Sequence, residues 1–287
     1  MKSFQIKSYC KINLSLRVLK KLNNGYHSLI SLITFCDIYD VISVTKIKNI
    51  KDEISFSGKF KKGIDKTSNT VTKTLNLLRD IELLGQESYK ININKNIPHG
   101  SGLGGGSSNA AVLLNYFNSR AKYKLSKKKI KKIAAQIGFD VPINLEKKNT
   151  FLTGKENEIL RLNNKFKLNL LIVYPNLICS TKKVYEKNRK LSLLKTKSDF
   201  YIKNNEKLIS FLKNENNDLE KTVVKTYPKV KKVIDYIRSQ KGCYFSRITG
   251  SGSACIGIFS SKRYTIYAYK MLKLKYPKYW CAVSKTI

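Results

Sequence analysis

Residues 97–111 read IPHGSGLGGGSSNAA, with Gly100, Gly102, Gly104, Gly105 and Gly106 packed ahead of a helical pattern. Five glycines in seven positions carry a heavy entropic cost on folding. A plain turn needs one or two, so this spacing implies a backbone that must come very close to a partner. A glycine loop opening into a helix presents unpaired N–H groups at the positive end of the helix dipole, which is a cradle for phosphate. Residue types decide which cradle. A P-loop needs Lys after its last glycine, and Ser107 stands there instead. Gly100-x-Gly102-x-x-Gly105 formally matches the dinucleotide fingerprint, which also wants an acidic residue about 20 positions on. Residues 122–132 read KYKLSKKKIKK, with no acid and a helical period. What is left is a phosphate loop of another kind, with the Ser107 and Ser108 hydroxyls at its helical end.

Two charged residues stand out beside the loop. Lys11 lies in an otherwise apolar strand pattern, IKSYCKINLSL, one alternate position from Asn13. A lysine on an inward face must find a partner. Asp140 sits between Gly138 and Pro142, in a turn where an aspartate either bonds local backbone or serves chemistry. Metal chemistry has little to work with: six cysteines are scattered singly, there are two histidines, and no CxxC or Cys/His cluster appears. The cysteines read as small buried hydrophobes.

The loop resembles the second motif of the GHMP kinase superfamily, P-x-G-x-G-L-G-S/G-S-S. Its form GLGGGSSNAA at Gly102–Ala111 resembles more narrowly the branch that acts on 4-diphosphocytidyl-2-C-methyl-erythritol. Other matches follow in the family's order. Tyr9-Cys10-Lys11-Ile12-Asn13-Leu14 resembles A-K-I-N-L, with Cys10 where Ala is usual. Asn24-Gly25-Tyr26-His27 resembles D-G-Y-H, and FCDIYDVISV resembles the following D-L-x-D strand. Gly138–Pro142 resembles G-A-D-V-P, Asn217–Glu220 matches N-D-L-E, and Thr249–Ser253 resembles S-G-S-G-S. Two stretches depart: Ile143-Asn144 replaces Phe-Phe, and GKENE at Gly154–Glu158 replaces a more glycine-rich G-x-G-E. Both departures are expected to loosen the loop around the site or alter its packing.

The resemblance implies an ATP-dependent kinase that phosphorylates the 2-hydroxyl of that cytidyl diphosphate alcohol, on the non-mevalonate route to isoprenoid precursors. In that reading Asp140 takes the hydroxyl proton and Lys11 neutralises developing negative charge. The phosphates of ATP lie along Pro98, Gly100, Gly102, Leu103, Gly104, Gly105, Gly106, Ser107 and Ser108, with Lys95 contacting phosphate and Asn69 and Asn109 bordering the nucleotide. Asn13, Tyr26, His27, Asp140, Thr181 and Tyr185 contact the alcohol substrate, His27 by a hydrogen bond to the cytosine edge and Tyr26 and Tyr185 by stacking. Mg²⁺ is expected with ATP from the chemistry, although the sequence offers no dedicated carboxylate cage. A mevalonate- or homoserine-type kinase is the nearest alternative, and it would not need the Gly-Tyr-His turn. A basic nucleic-acid-binding protein is the alternative of another class, and it has no use for five loop glycines followed by paired serines.

These residues need a scaffold. Period-two alternation runs through the first 45 residues, with a strand-like run at Val41–Val44. Asp52–Lys66 reads as a strand pair with a loop, and Ser68 caps a helix running from about Asn69 to Leu84. Tyr89–Asn94 alternates into the glycine loop, and Ala110, Leu113, Leu114 and Phe117 repeat at helical spacing after it. Ser126 caps a further helix closed by Gly138. Beyond residue 160 come a strand at Leu168–Tyr174 and helices near Thr181–Asn188, Glu206–Leu212 and Tyr227–Ser239. Strands at Tyr244–Ile248 and Cys255–Phe259, a helix at Lys262–Lys275 and a strand at Trp280–Ser284 complete a split βαβ signature. The fold class is therefore α+β in two domains. Residues 1–162 form the ATP-binding and catalytic domain, which the resemblance makes ribosomal-protein-S5-domain-2-like. Residues 163–287 form a ferredoxin-like domain.

Composition bounds the rest. The 287 residues, 42% hydrophobic, can build two real cores. The 56 basic and 19 acidic residues give a net charge of +37, but only eight of the basic residues are arginine. Lysine spread along the whole chain reads as a solvated basic surface, not as a nucleic-acid footprint, and no specific nucleic acid is expected. No apolar run approaches the roughly 20 residues of a membrane span, and the N-terminus MKSFQIKSYCKINLSL lacks a signal-peptide core. A cytoplasmic monomer or homodimer acting on a small molecule is the expectation.

Overall fold

A computed structural model describes residues 3–22, 25–154, 158–188, 191–192 and 204–287. In chain order the first elements are β1 (Ser3–Asn13), β2 (Arg17–Lys21), β3 (His27–Ile47), β4 (Glu53–Ser57), α1 (Thr70–Asp80) and β5 (Ser88–Asn94). Next come α2 (Gly105–Arg120), α3 (Lys127–Ile137), α4 (Val141–Asn144), β6 (Thr150–Thr153), β7 (Ile159–Arg161) and β8 (Asn169–Tyr174). The chain continues with α5 (Thr181–Lys187), α6 (Asn205–Asn214), α7 (Glu220–Thr226), α8 (Pro228–Arg238), β9 (Cys243–Ile248), β10 (Cys255–Phe259), α9 (Lys262–Lys275) and β11 (Trp280–Lys285).

These elements belong to two compact units. The first gathers Met1–Lys11, Ile38–His99 and Gly104–Lys147. Here the C-terminal half of β3 pairs antiparallel with β5, Val41 opposite Asn94 through Ile47 opposite Ser88, and β4 joins β5 in parallel. The apolar residues of these strands (Ile42, Val44, Ile91, Ile93) bury against Leu75 and Leu78 of α1, Leu113, Leu114 and Phe117 of α2, and Ile133 and Ile137 of α3. Burying one such side chain contributes about 1.5–3 kcal/mol, so this core fixes where the ends of α1 and α2 stand.

The second unit gathers Ile12–Asp37, Gly100–Leu103 and Lys148–Ile287. In it the N-terminal half of β3 pairs with β2 and with β6, and β6 pairs with β7, all antiparallel. A separate antiparallel sheet has the order β11-β8-β10-β9. That order, fourth–first–third–second, is the ferredoxin-like arrangement expected from the sequence.

Several sequence expectations change in detail. The run at 41–44 is part of a 21-residue strand, and the alternation expected across the first 45 residues fails at Ser28–Cys36, which are buried on both faces. Asp52–Lys66 holds one strand, β4, which pairs with β5 at the end of the sheet order, followed by turns. α1 starts at Thr70 with Asn69, not Ser68, as its cap: the Asn69 side chain accepts from the N–H groups of Val71 and Thr72. It ends at Asp80 rather than Leu84, because Glu82 turns left-handed (φ 56°) and Leu83 N–H bonds back to Leu78 O. α3 begins as expected at its Ser126 cap, but the closing Gly138 is extended, a conformation open to any residue. The short strands β6 and β7 and the helices α4 and α7 are not among the elements expected from the sequence.

Candidate active site

α2 starts inside the glycine run. Its N-cap, Gly104, is left-handed at φ 68° and has no side chain to bond the first turn, so the first N–H groups stay open to a ligand. The reason for glycine at 104 is steric. A Cβ there would lie 2.6 Å from Cγ and 2.9 Å from Cε of Lys11. Lys11 is 3% exposed, and its Nζ lies 3.1 Å from the Asp140 carboxylate. Asp140 occupies the N-cap position of α4 without bonding that helix through its side chain. Lys11, Asp140 and the start of α2 are thus in one place, as the sequence expected for Lys11 and Asp140. A half-exposed carboxylate beside a buried ammonium and open helix amides can accept a proton while negative charge develops nearby.

The paired serines have different surroundings. Ser108 is buried; its Oγ donates to Tyr9 O at 2.7 Å and accepts from Ser8 Oγ at 2.9 Å. Ser107 is half-buried at the first turn of α2. Asn109 is 1% exposed, and its Oδ1 has no hydrogen-bond partner. Asn69 caps α1, whose first residue, Thr70, donates its hydroxyl to Gly106 O at 2.9 Å. Lys95 is buried and ion-paired with Asp40, whose other oxygen accepts from the N–H groups of Asn96 and Ile97 at 2.8 and 2.9 Å. Burial pushes the Lys95 ammonium down from its ordinary range, and Asp40 opposes that shift. Its Nζ stands 3.4 Å from a Cβ built on Gly105, so it lies beneath the start of α2. Pro98 precedes His99, whose ring nitrogen meets Lys62 O at 2.8 Å.

In the second unit the third motif grips the middle of the loop. Ala254 N–H donates to Ser101 O at 2.9 Å, and a Cβ on Gly102 (φ 84°) would run into Thr249 O. Leu103 is fully buried, and a Cβ on Gly100 would meet Ile178 at 2.8 Å. Asn13 is buried; its N–H donates to Thr249 Oγ1 and its Nδ2 to Ser31 Oγ. The N-D-L-E stretch is structural. Asn217 Nδ2 donates to Gly250 O at 2.8 Å, Asp218 accepts from Val18 N–H, and Glu220 accepts from Ile248 N–H.

His27 opens β3 and stacks on Tyr185, ring centroids 5.1 Å apart and planes 27° apart. Tyr26 beside it is 51% exposed. Burial first, and then Lys21, pushes the His27 imidazole below its ordinary value. The Thr181 hydroxyl lies 2.9 Å from that of Ser251. The sequence therefore chose two residues, His27 and Tyr185, that lie 158 positions apart and share one aromatic stack.

The N-terminal half of the chain matches the GHMP kinases N terminal domain at residues 69–146, and the GHMP kinases C terminal model matches residues 201–273. A 4-diphosphocytidyl-2-C-methyl-D-erythritol kinase of Pelagibacter ubique is 38% identical over 289 residues, covering 100% of both chains. This chain belongs to the 4-diphosphocytidyl-2-C-methyl-D-erythritol kinase family of GHMP kinases. A kinase of the same name from Caldanaerobacter subterraneus is 34% identical, covering 99% of this chain and 96% of its own. Among solved structures, a 4-(cytidine 5'-diphospho)-2C-methyl-D-erythritol kinase shares the fold with a TM-score of 0.73 at 24% identity, covering 99% of this chain and 100% of its own. A homoserine kinase from Cytophaga hutchinsonii also reaches 0.73, at 17% identity, covering 100% and 95%. The family's fold is thus common to several acceptors, and full-length sequence likeness is what separates this branch.

Sequence reasoning gave Asp40, Thr70, Thr249 and Ser31 no role. Asp40 carried a signal, an acid inside an apolar strand, which implies a buried partner. Thr249 opens the third motif, whereas Thr70 and Ser31 carried no signal, since hydroxyls are common at such positions. Of the two departures, Ile143 and Asn144 are buried, 1% and 4% exposed. Residues 155–157 of the other, and Asn24 of the Gly-Tyr-His turn, lie outside the described residues. Among the described residues, no group of three or more His, Cys, Asp or Glu could hold a metal, and no helix is long and apolar enough to cross a membrane.

Proposed function

We propose that this chain transfers the γ-phosphoryl group of ATP to the 2-hydroxyl of 4-diphosphocytidyl-2-C-methyl-D-erythritol, a step toward isoprenoid precursors. The observation that carries the proposal is the contact of Lys11 with Asp140 beneath Gly104, in a chain 38% identical over its full length to a kinase of that name. Phosphoryl transfer asks a protein for positioning and charge stabilisation more than for covalent chemistry. Asp140 accepts the proton of the substrate hydroxyl. Lys11, buried and held by that carboxylate, offsets the charge that grows on the transferring group. The amides at Gly102–Ser108 and the positive end of α2 bind the phosphates, with Pro98, Gly100 and Leu103 shaping the approach and Asn69 and Asn109 flanking the nucleotide. Lys95 adds positive charge beneath Gly105.

The residues fit Mg²⁺ only as an ion that arrives with the triphosphate, because Ser107 is the available hydroxyl, Ser108 being tied to Tyr9, and no carboxylate cage is present among the described residues. Bound there, Mg²⁺ would screen phosphate charge. His27 and Tyr185, already stacked on each other, bind the cytosine with Tyr26, while Asn13 and Thr181 hold the alcohol portion. The domain boundary is read at 162/163, between β7 and β8, and the enzyme works in the cytoplasm on a small molecule.

ADP release measured with the cytidyl alcohol, mevalonate and homoserine tests the reading. Turnover with the cytidyl alcohol alone is expected, and Asp140→Asn should lower it by about 10²–10⁴-fold. Equal turnover of mevalonate or homoserine, or an Asp140→Asn variant at the wild-type rate, defeats it.

A further inference from the structure

Asn144 is a buried polar residue that the mechanism above leaves unused. It ends α4, and its Nδ2 donates to the main-chain carbonyl of Asp140 at 2.7 Å. The ordinary helical bond between the same two residues, Asn144 N–H to Asp140 O, is long at 3.4 Å. The side chain therefore supplies the shorter tie. Its Oδ1 is buried and has no partner, a condition that costs stability. A leucine, with the same branching, would leave no polar atom unpaired. Asp140, for its part, makes no side-chain bond to α4. The aim of its carboxylate thus depends on its own backbone and on Lys11, 3.1 Å away.

We propose that Asn144 is a positioning residue: by holding the Asp140 carbonyl, it fixes the peptide plane from which the Asp140 carboxylate reaches Lys11. This rests on Asp140 being the proton acceptor. A four-residue helix beginning in Val141-Pro142 has only one turn of its own bonds, and the 3.4 Å bond to Asp140 O is a long one. The side-chain amide replaces what that bond does not give. Its orphaned oxygen is the stability cost of having the amide there.

The test uses the full chain with MgATP and the cytidyl alcohol. Asn144→Leu is expected to keep or raise Tm, because the orphaned oxygen is gone. Its kcat should fall about tenfold, the effect of a shift of a fraction of an ångström, with both Michaelis constants within about twofold of wild type. Asn144→Ala should show the same fall if the leucine variant does not fold. Asn144→Thr, whose hydroxyl can bond the carbonyl four residues back, should recover kcat to within about threefold. A wild-type kcat in both the leucine and alanine variants, beside an inactive Asp140→Asn, overturns the positioning role alone. Failure of Asn144→Thr to recover a lost kcat also overturns it. A wild-type rate in Asp140→Asn removes the proton-acceptor reading, and the proposal goes with it.

Discussion

Gly104→Ala probes the link between the loop backbone and the charged pair directly. The added methyl would stand 2.6 Å from Lys11 Cγ and 2.9 Å from Cε, where carbon atoms ordinarily sit about 3.5–4.0 Å apart. The lysine stem must therefore retreat by about 1 Å, and at 3% exposure it has little room to do so. Its far end cannot swing away cheaply, because Nζ is held at 3.1 Å by Asp140. A left-handed backbone at φ 68° adds about 1–2 kcal/mol for any L side chain. Two effects are expected. Tm should drop by a few degrees, following the usual few degrees per kcal/mol for a chain of this size. Turnover should fall about 10²-fold, the usual result of a 1 Å misplacement of a reacting group. Steady-state ADP release across a range of ATP concentrations separates the causes: a fall in kcat reports the displaced lysine, and a rise in the Michaelis constant reports a weaker phosphate grip. A folded Gly104→Ala enzyme with wild-type kcat would show that the Lys11–Asp140 geometry does not govern the rate.

Two more outcomes follow from the same structure. Lys95→Met strands the buried Asp40 carboxylate and should destabilise the fold by about 3–5 kcal/mol in urea denaturation. Adding Asp40→Asn removes the stranded charge and should restore most of the loss, since the amide oxygen can still accept from Asn96 and Ile97; an unchanged midpoint in Lys95→Met contradicts the pairing. The His27 imidazole is pushed down from 6.5, so it is neutral at pH 7 and gains a proton only on the acid side of that value. The Michaelis constant for the cytidyl alcohol should therefore stay flat from pH 7 to 8 and rise as the pH falls below the ordinary histidine range. His27→Ala should raise it throughout and abolish the acid-side rise.

The sequence was most legible where chemistry constrains residue type tightly. Five clustered glycines leave few readings, and the structure shows why two of them are needed: Gly102 lies against Thr249 O and Gly104 against the Lys11 stem. The ferredoxin-like sheet could be read because its strands are short, apolar and separated by amphipathic helices. β3 was harder, since a strand buried on both faces loses the alternation that marks a strand. The cap of α1 was misplaced by one residue because Ser68 and Asn69 are both good caps, and only coordinates show which side chain bonds the helix. Ser107 and Ser108 present the same limit. Adjacent identical residues on a helix point in directions about 100° apart, and tertiary packing alone decides that Ser108 ties down β1 while Ser107 does not. Lys95 read as one more cation near phosphate. Its partner, Asp40, lies 55 positions earlier, beyond the reach of any local pattern.

The strand order β11-β8-β10-β9 has a consequence for biosynthesis. β8, whose Leu170, Leu171, Ile172 and Val173 are fully buried, pairs with β10 on one side and with β11 on the other. β11 is the last strand of that sheet to leave the ribosome, about a hundred residues after β8. Until it arrives, one edge of the most apolar strand in the sheet stays open to any passing extended peptide. A message truncated just before Trp280 would thus yield a chain with every proposed catalytic group intact but an unguarded seam. Such a product is expected to collect in inclusion bodies while the full-length chain stays in solution.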